Sequence, residues 1–259
     1  MSAIIIDDKI VHYEVLGRGK PIIFLHGWVG SWRYWIPAMQ AATTAYRAYA
    51  FDLWGFGETA KDASLYSLKQ QAELLDSFMN AMGIGKVALI GHGLGAVVAL
   101  QYAAEHSYVV DRVMVISAPL EAQGLAERAG SFSPTELANR LSDASPAHDA
   151  ARKEAAKSDP AAIQTSMEAL QKLDLAKIFA EMNTAALLVH GTKDPLSPNT
   201  EMGDLPNMFH QVTFDESGHF PMLDQPNKFH RLMKDFLDLP SGESPRQLQL
   251  KDEWKRRVR

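Results

Sequence analysis

Apolar positions along the 259-residue chain fall into short runs separated by glycine-rich or polar turns. Ile4–Ile6 and Ile10–Val15 are strand-like runs joined by Asp-Asp-Lys and read as a hairpin. The stretches PIIFLHG, YRAYAFD, KVALIG, VDRVMVISAP, TAALLVHGTKDP and HQVTFDESGH are each a short apolar run ending in a loop, the pattern of buried strands. Between them lie helix-like segments: WRYWIPAMQAAT, SLKQQAELLDSFMNAMGI, LGAVVALQYAAEH and PNKFHRLMKDFLDL. In the second of these Leu68, Ala72, Leu75, Phe78, Met79 and Met82 share one helical face. Strands alternating with helices predict a mostly parallel sheet with helices on both faces, an α/β fold.

Residues 121–183 break this alternation. They are rich in Ala, Glu, Lys and Ser, contain several helix-like runs, and lack Trp and Tyr. They read as a helical insertion that divides a core made of residues 1–120 and 184–239. The segment 240–259 is polar. Its last fourteen residues, 246–259, hold six Lys/Arg and two Asp/Glu, a net of +4. This tail reads as a solvated or partly helical end, with a partner or an anionic surface as the alternative.

Composition removes several classes. Hydrophobic residues make up 46% and charged residues 22%, as in a soluble globular domain. The net charge of −5 and the lack of clustered basic residues on the main body exclude a nucleic-acid surface. No cysteine is present, which removes disulfides, thiolate metal sites and a thiol nucleophile, and fits a reducing, cytoplasmic setting. The first residues, MSAIIIDDK, meet two aspartates after a very short apolar run and are not expected to form a signal peptide. His92 and three glycines interrupt the longest apolar stretch, so no membrane span is expected. No metal or cofactor motif stands out: His190 and Asp194 share a loop without a third ligand, and GIGKVALIG lacks the order of a phosphate loop.

Candidate chemistry sits where predicted strands end, because open α/β sheets bind ligands at the carboxyl edge. FLHGW puts His26, Gly27 and Trp28 in the loop after one strand, and glycine there lets backbone approach a ligand. In DLWGFGET, Asp52 reads as a hydrogen-bonding loop residue. GHGLG is a strand-to-helix turn centred on Gly93, flanked by His92 and Leu94. Asp194 follows a later strand in HGTKDP, and His219 follows the last in SGHFPMLDQP. Trp28, Trp32, Tyr34 and Trp35 are candidates for a pocket wall or for core. Ser31, Ser117 and Ser217 are off the turn and read as turn or cap residues.

These motifs, in this order and spacing from VHYEVLGRGKPIIFLHGW to FLDL, resemble the α/β-hydrolase family, in its esterase and carbon–carbon hydrolase branch. The resemblance implies an eight-stranded sheet, a helical cap over 121–183, and a triad with Asp194 as acid and His219 as base. It implies an oxyanion hole from the amides of Trp28 and Leu94, and a pocket near His26, Gly27, His92 and Trp32. It also implies a small, mostly apolar acyl ligand and no cofactor. The nucleophile position is Gly93, which has no side chain to attack a carbonyl. The dehalogenase and epoxide-hydrolase branches are rejected, since the turn lacks aspartate and the insertion lacks tyrosine. Three readings stay open: a hydrolase scaffold without its nucleophile, an enzyme using the His219–Asp194 pair alone as general base, and a ligand-binding pseudoenzyme.

Overall fold

The structure is a computed structural model that describes residues 2–121, 123–197 and 205–251. Eight strands form one sheet in the order β1-β2-β4-β3-β5-β6-β7-β8. They are β1 (Ser2–Ile6), β2 (Lys9–Gly17), β3 (Lys20–Leu25), β4 (Tyr46–Phe51), β5 (Val87–His92), β6 (Val110–Ile116), β7 (Ala185–Gly191) and β8 (Phe209–Phe214). The β1–β2 and β2–β4 pairs are antiparallel; all others are parallel. The predicted hairpin closes through Asp7 and Asp8 alone, both at positive φ, because Ile6 pairs with Lys9. Two left-handed residues suit the twist of a tight hairpin.

The central strands β5 and β7 are buried along their whole length. That follows from helices packing on both faces, which leaves no polar side to alternate. Helices α1 (Ile36–Ala42), α2 (Leu68–Ala81), α3 (Leu94–Glu105), α9 (Pro221–Asp224) and α10 (Pro226–Leu237) belong to this layer structure. The predicted WRYWIPAMQAAT helix is split: Trp32–Trp35 form a 3-10 turn and the α-helix begins at Ile36, with Pro37 in its first turn. Proline suits a first turn because its missing N–H would be unpaired there anyway.

Between β6 and β7 run five short helices, α4 (Leu125–Ala129), α5 (Pro134–Leu141), α6 (Asp149–Ala155), α7 (Pro160–Leu170) and α8 (Leu175–Glu181). The described part of the chain beyond α10 is mostly exposed but not free of the body. A 3-10 turn at Pro245–Gln247 lies beside β8, Leu248 is buried, and its carbonyl accepts a 2.8 Å bond from His210 Nε2. The reason is tertiary: Ser244 and Arg246 bond the carbonyls of Asn207 and Leu205, 37 and 41 residues earlier in the chain. Most of the basic tail, residues 252–259, lies outside the described residues. No helix of the described residues is long and apolar enough to cross a membrane.

The turn between β5 and α3 is where packing is tightest. A Cβ on Gly91 would lie 2.4 Å from the Gly95 carbonyl oxygen, and one on Gly95 would lie 2.5 Å from that of Leu25. Both glycines are therefore required for space. Gly93 is different: its nearest neighbours would be at 3.4 Å, ordinary contact, and only its φ of +52° opposes a side chain. We expect Gly91→Ala and Gly95→Ala each to destabilise the fold by about 2–3 kcal/mol through overpacking. Gly93→Ser should fold and lose only about 1 kcal/mol to backbone strain. Denaturant titration of the three variants checks the order; a Gly93→Ser protein more stable than the parent contradicts it.

Candidate functional site

The residues singled out in the sequence meet at the carboxyl edge of the sheet. His219 lies in the loop between β8 and α9, and Asp194 in the turn after β7. His219 Nδ1 sits 3.0 and 2.9 Å from the two Asp194 carboxylate oxygens. Both side chains are buried, and Asp194 Oδ1 also accepts the Leu196 amide at 2.9 Å. A carboxylate only accepts, so Nδ1 carries the proton and Nε2 of the neutral ring presents its lone pair. Nε2 is buried without a protein partner.

Gly93 faces that nitrogen. A Cβ built on it would lie 3.5 Å from His219 Nε2, 3.4 Å from Gly27 Cα and 3.4 Å from the Trp28 ring. Leu94 is the first residue of α3, whose opening N–H groups have no partner within the helix. Neither the Leu94 nor the Trp28 amide donates to a described residue in the fold, whereas Gly95 N–H is taken by the His26 carbonyl at 3.0 Å. The Leu94 amide, at the helix N-terminus, lies where negative charge is favoured.

The remaining candidates do other work. His26 spends both ring nitrogens on backbone, donating to the Gly27 carbonyl at 2.8 Å and accepting from Leu53 N–H at 3.0 Å. Burial lowers its pKa to about 4, so it stays neutral and ties the two loops together. It has no nitrogen left for a ligand. Asp52 accepts the amides of Trp32 and Glu58 at 2.9 and 3.1 Å, and burial raises its pKa to about 7. Trp32, Tyr34 and Trp35 are buried; Trp35 packs on Phe24 at 5.1 Å, so this aromatic cluster is core more than surface. Trp28 is also buried, and its Nε1 donates to Ser166 Oγ on α7 at 2.9 Å. Ser31 and Ser217 are engaged by Arg33, Glu154 and Gln225, while Ser117 is buried, unpartnered and at φ +49°.

His92 and Tyr34 are candidates in the sequence, but their pairing is not legible there, and His148, Asp143 and Asp224 carry no signal. His92 Nδ1 lies 2.9 Å from the Tyr34 hydroxyl, and its Nε2 lies 2.8 Å from the His219 carbonyl. His148, in the helical segment, has Nδ1 2.7 Å from Asp143 and Nε2 3.1 Å from Asp224 on α9. Asp224 in turn accepts the amide of Gly218, the residue before His219, at 2.8 Å. No run of neighbours announces these pairs, since their members are 58 to 127 residues apart for His92 and 76 apart for His148 and Asp224 (224 − 148). Asp143, His148 and Asp224 also place one ligand atom each within 4.8 Å of one another. Each imidazole nitrogen already faces a carboxylate, so hydrogen bonding accounts for the cluster. The cluster borders a cleft of about 590 Å3 that reaches Gly218 and His219 and is flanked by Arg140 and Lys193.

Comparisons with known proteins agree with this architecture. A model of the alpha/beta hydrolase family matches residues 22–232. A pimeloyl-acyl-carrier-protein methyl ester esterase of Nitrosomonas europaea is 26% identical over 248 residues, covering 85% of this chain and 96% of that protein. A soluble epoxide hydrolase of Corynebacterium sp. strain C12 is 30% identical over 106 residues, which span 41% of this chain but only 37% of that relative. Among solved structures, an esterase from Exiguobacterium antarcticum superposes with a TM-score of 0.80 at 20% identity, over 91% of this chain and 98% of that one. The last likeness carries the fold alone.

His148 gives the site a pH dependence. Burial alone would lower its pKa, but the hydrogen bonds and charges of Asp224 and Asp143 outweigh burial and raise it. A raised folded pKa means that the stabilisation is complete below the unfolded value of about 6.5 and is lost as pH rises through the folded value. Unfolding free energies of the parent and of His148→Phe, measured from pH 5.5 to 8.5, should therefore converge as pH rises. A constant difference across that range rejects the ionic clamp.

Proposed function

The chain belongs to the alpha/beta hydrolase family, and from that premise we propose that it carries an acyl-hydrolase site in which glycine stands where the attacking residue belongs. His219 is the base and Asp194 its orienting carboxylate. The Trp28 and Leu94 amides are the oxyanion donors, and residues 121–183 are the cap over a small, mostly apolar acyl ligand. The N. europaea methyl ester esterase, similar over most of both chains, points to carboxylic esters as the substrate class.

The observation that carries the reading is the Gly93 geometry. A Cβ there would sit 3.5 Å from the unpartnered His219 Nε2 with no atom closer than 3.4 Å. A hydroxyl one bond further out would come within hydrogen-bond reach of the base, which is how a serine is activated. Everything needed for acyl transfer surrounds a position that lacks only the attacking atom. Without it no acyl-enzyme forms, and because nucleophile and base act as a unit, most of the rate is lost. Donors preorganised for an oxyanion still stabilise a tetrahedral centre.

A second reading has its own support in that same buried, unpartnered Nε2. Water held in the space beside Gly93 would give its proton to Nε2 and attack the acyl carbon in one displacement. The proton would then pass to the leaving alkoxide.

The test is p-nitrophenyl ester hydrolysis by the protein and its Gly93→Ser variant, each with and without His219→Ala. We expect serine to raise the rate by about 10³-fold or more, and His219→Ala to abolish that gain. Hydrolysis already present in the glycine protein and lost with His219→Ala favours water attack. Silence in all four folded proteins sinks both readings and leaves a ligand-binding protein, to be sought by thermal shift.

A further inference from the structure

We propose that Tyr34 and His92 are positioning residues for His219, acting through one hydrogen-bond chain that runs from the Gly27 amide through Tyr34 and His92 to the His219 carbonyl. The inference rests on the reading of His219 as the base.

The chain has one consistent direction. The His219 carbonyl can only accept, so at 2.8 Å it must receive the proton of His92 Nε2. A neutral His92 then offers Nδ1 as an acceptor, and the Tyr34 hydroxyl donates to it at 2.9 Å. The phenol oxygen, having given its proton, accepts the Gly27 N–H at 2.7 Å. Each donor meets one acceptor, and the alternative tautomer leaves the His219 carbonyl without its donor. Burial holds His92 neutral, and the neighbouring His219 adds to this, keeping its pKa well below the ordinary histidine value.

The placement of these groups gives the chain its consequence. Gly27 precedes Trp28 on the loop after β3, His92 precedes Gly93 at the end of β5, and His219 lies on the loop after β8. One chain of bonds therefore fixes the loop of the free amide, the turn and the base relative to one another. The His92 and His219 rings lie 4.6 Å apart, and Phe220 packs against both, at 4.7 and 5.3 Å. Gly27 is needed for the approach, because a Cβ there would meet His92 Nδ1 at 2.8 Å. Tyr34→Phe keeps the ring packing but strips both the Gly27 amide and His92 Nδ1 of their partner. His92 is then free to change tautomer and release the His219 backbone. Displacements of about 1 Å in a reacting group cost up to about 10²-fold in rate.

Two readouts test this. In the protein as it stands, nitrogen NMR of the imidazoles should show His92 neutral, with its proton on Nε2, throughout pH 5 to 8, the range in which an ordinary histidine titrates. Tyr34→Phe should change the His92 tautomer pattern and move the His219 ring resonances. In the Gly93→Ser background, Tyr34→Phe should lower kcat about tenfold with KM changed less than about twofold, since positioning rather than binding is lost. His92→Gln, which can still donate to the His219 carbonyl and accept from Tyr34, should retain most activity, and His92→Phe should lose it. Unchanged His219 resonances in folded Tyr34→Phe and His92→Phe overturn the inference whether or not the serine variant cleaves esters. Equal losses in His92→Gln and His92→Phe overturn it too. If the serine variant is inactive, the resonances alone decide; if Tyr34→Phe does not fold, the two His92 variants decide.

Discussion

The site depends on how closely the first turn of α3 is pressed onto the sheet. With no Cβ at Gly91 or Gly95, the helix start reaches the ends of β3 and β5, and Gly95 N–H bonds the His26 carbonyl at 3.0 Å. The chain between them has one way through, with Gly93 at φ +52° and ψ −113° and its missing side chain aimed at His219. The same contact leaves the Leu94 amide at the helix N-terminus, where the backbone dipoles favour negative charge. A larger residue at either outer position would move the turn, the amide and the direction of any side chain at 93 together.

Around this turn, polar groups are buried and mostly paired. His26, Asp52 and His92 meet backbone or hydroxyl partners on both sides. Burial disfavours a charge on either histidine, so they act as neutral struts and do not compete with His219 for a proton. Against this background the unpartnered His219 Nε2 stands out, because buried polar atoms are normally satisfied. His190 on β7 is also buried without hydrogen-bond partners among the described residues, and burial lowers its pKa to about 4.

The helical segment is fastened to the core beside the site by contacts of unequal weight. Trp28 to Ser166 joins two buried groups and His148 to Asp224 a buried with a half-buried one, whereas Lys157 to Glu58 is an exposed pair worth little in water. Trp28, Leu94 and His219 are all buried beneath or beside this segment, and the cleft lined by Arg140, Lys193 and Asp224 reaches His219 from outside. The second contact also reaches the loop of His219, because Asp224 accepts the Gly218 amide. One carboxylate, Asp224, therefore touches both the helical segment, through His148, and the loop of His219, through Gly218.

By itself the sequence determined what depends on local pattern. Buried strands are readable because both faces are apolar, and the strand–glycine–helix stretch VALIGHGLGAVVAL announces the turn through residue types within a few positions of one another. The order of Gly93, Asp194 and His219, after β5, β7 and β8, was legible for the same reason, and so was the absence of a side chain at 93. Tertiary structure alone decided that Gly91 and Gly95 are glycines for space while Gly93 is one for backbone sign. It also turned His26 from a pocket candidate into a strut, docked residues 244–248 beside β8, and paired Tyr34 with His92 and His148 with Asp224. The physical reason is range. Periodicity records which face of an element avoids water, whereas a buried hydrogen bond is set by where two distant elements cross, and no spacing along the chain encodes that.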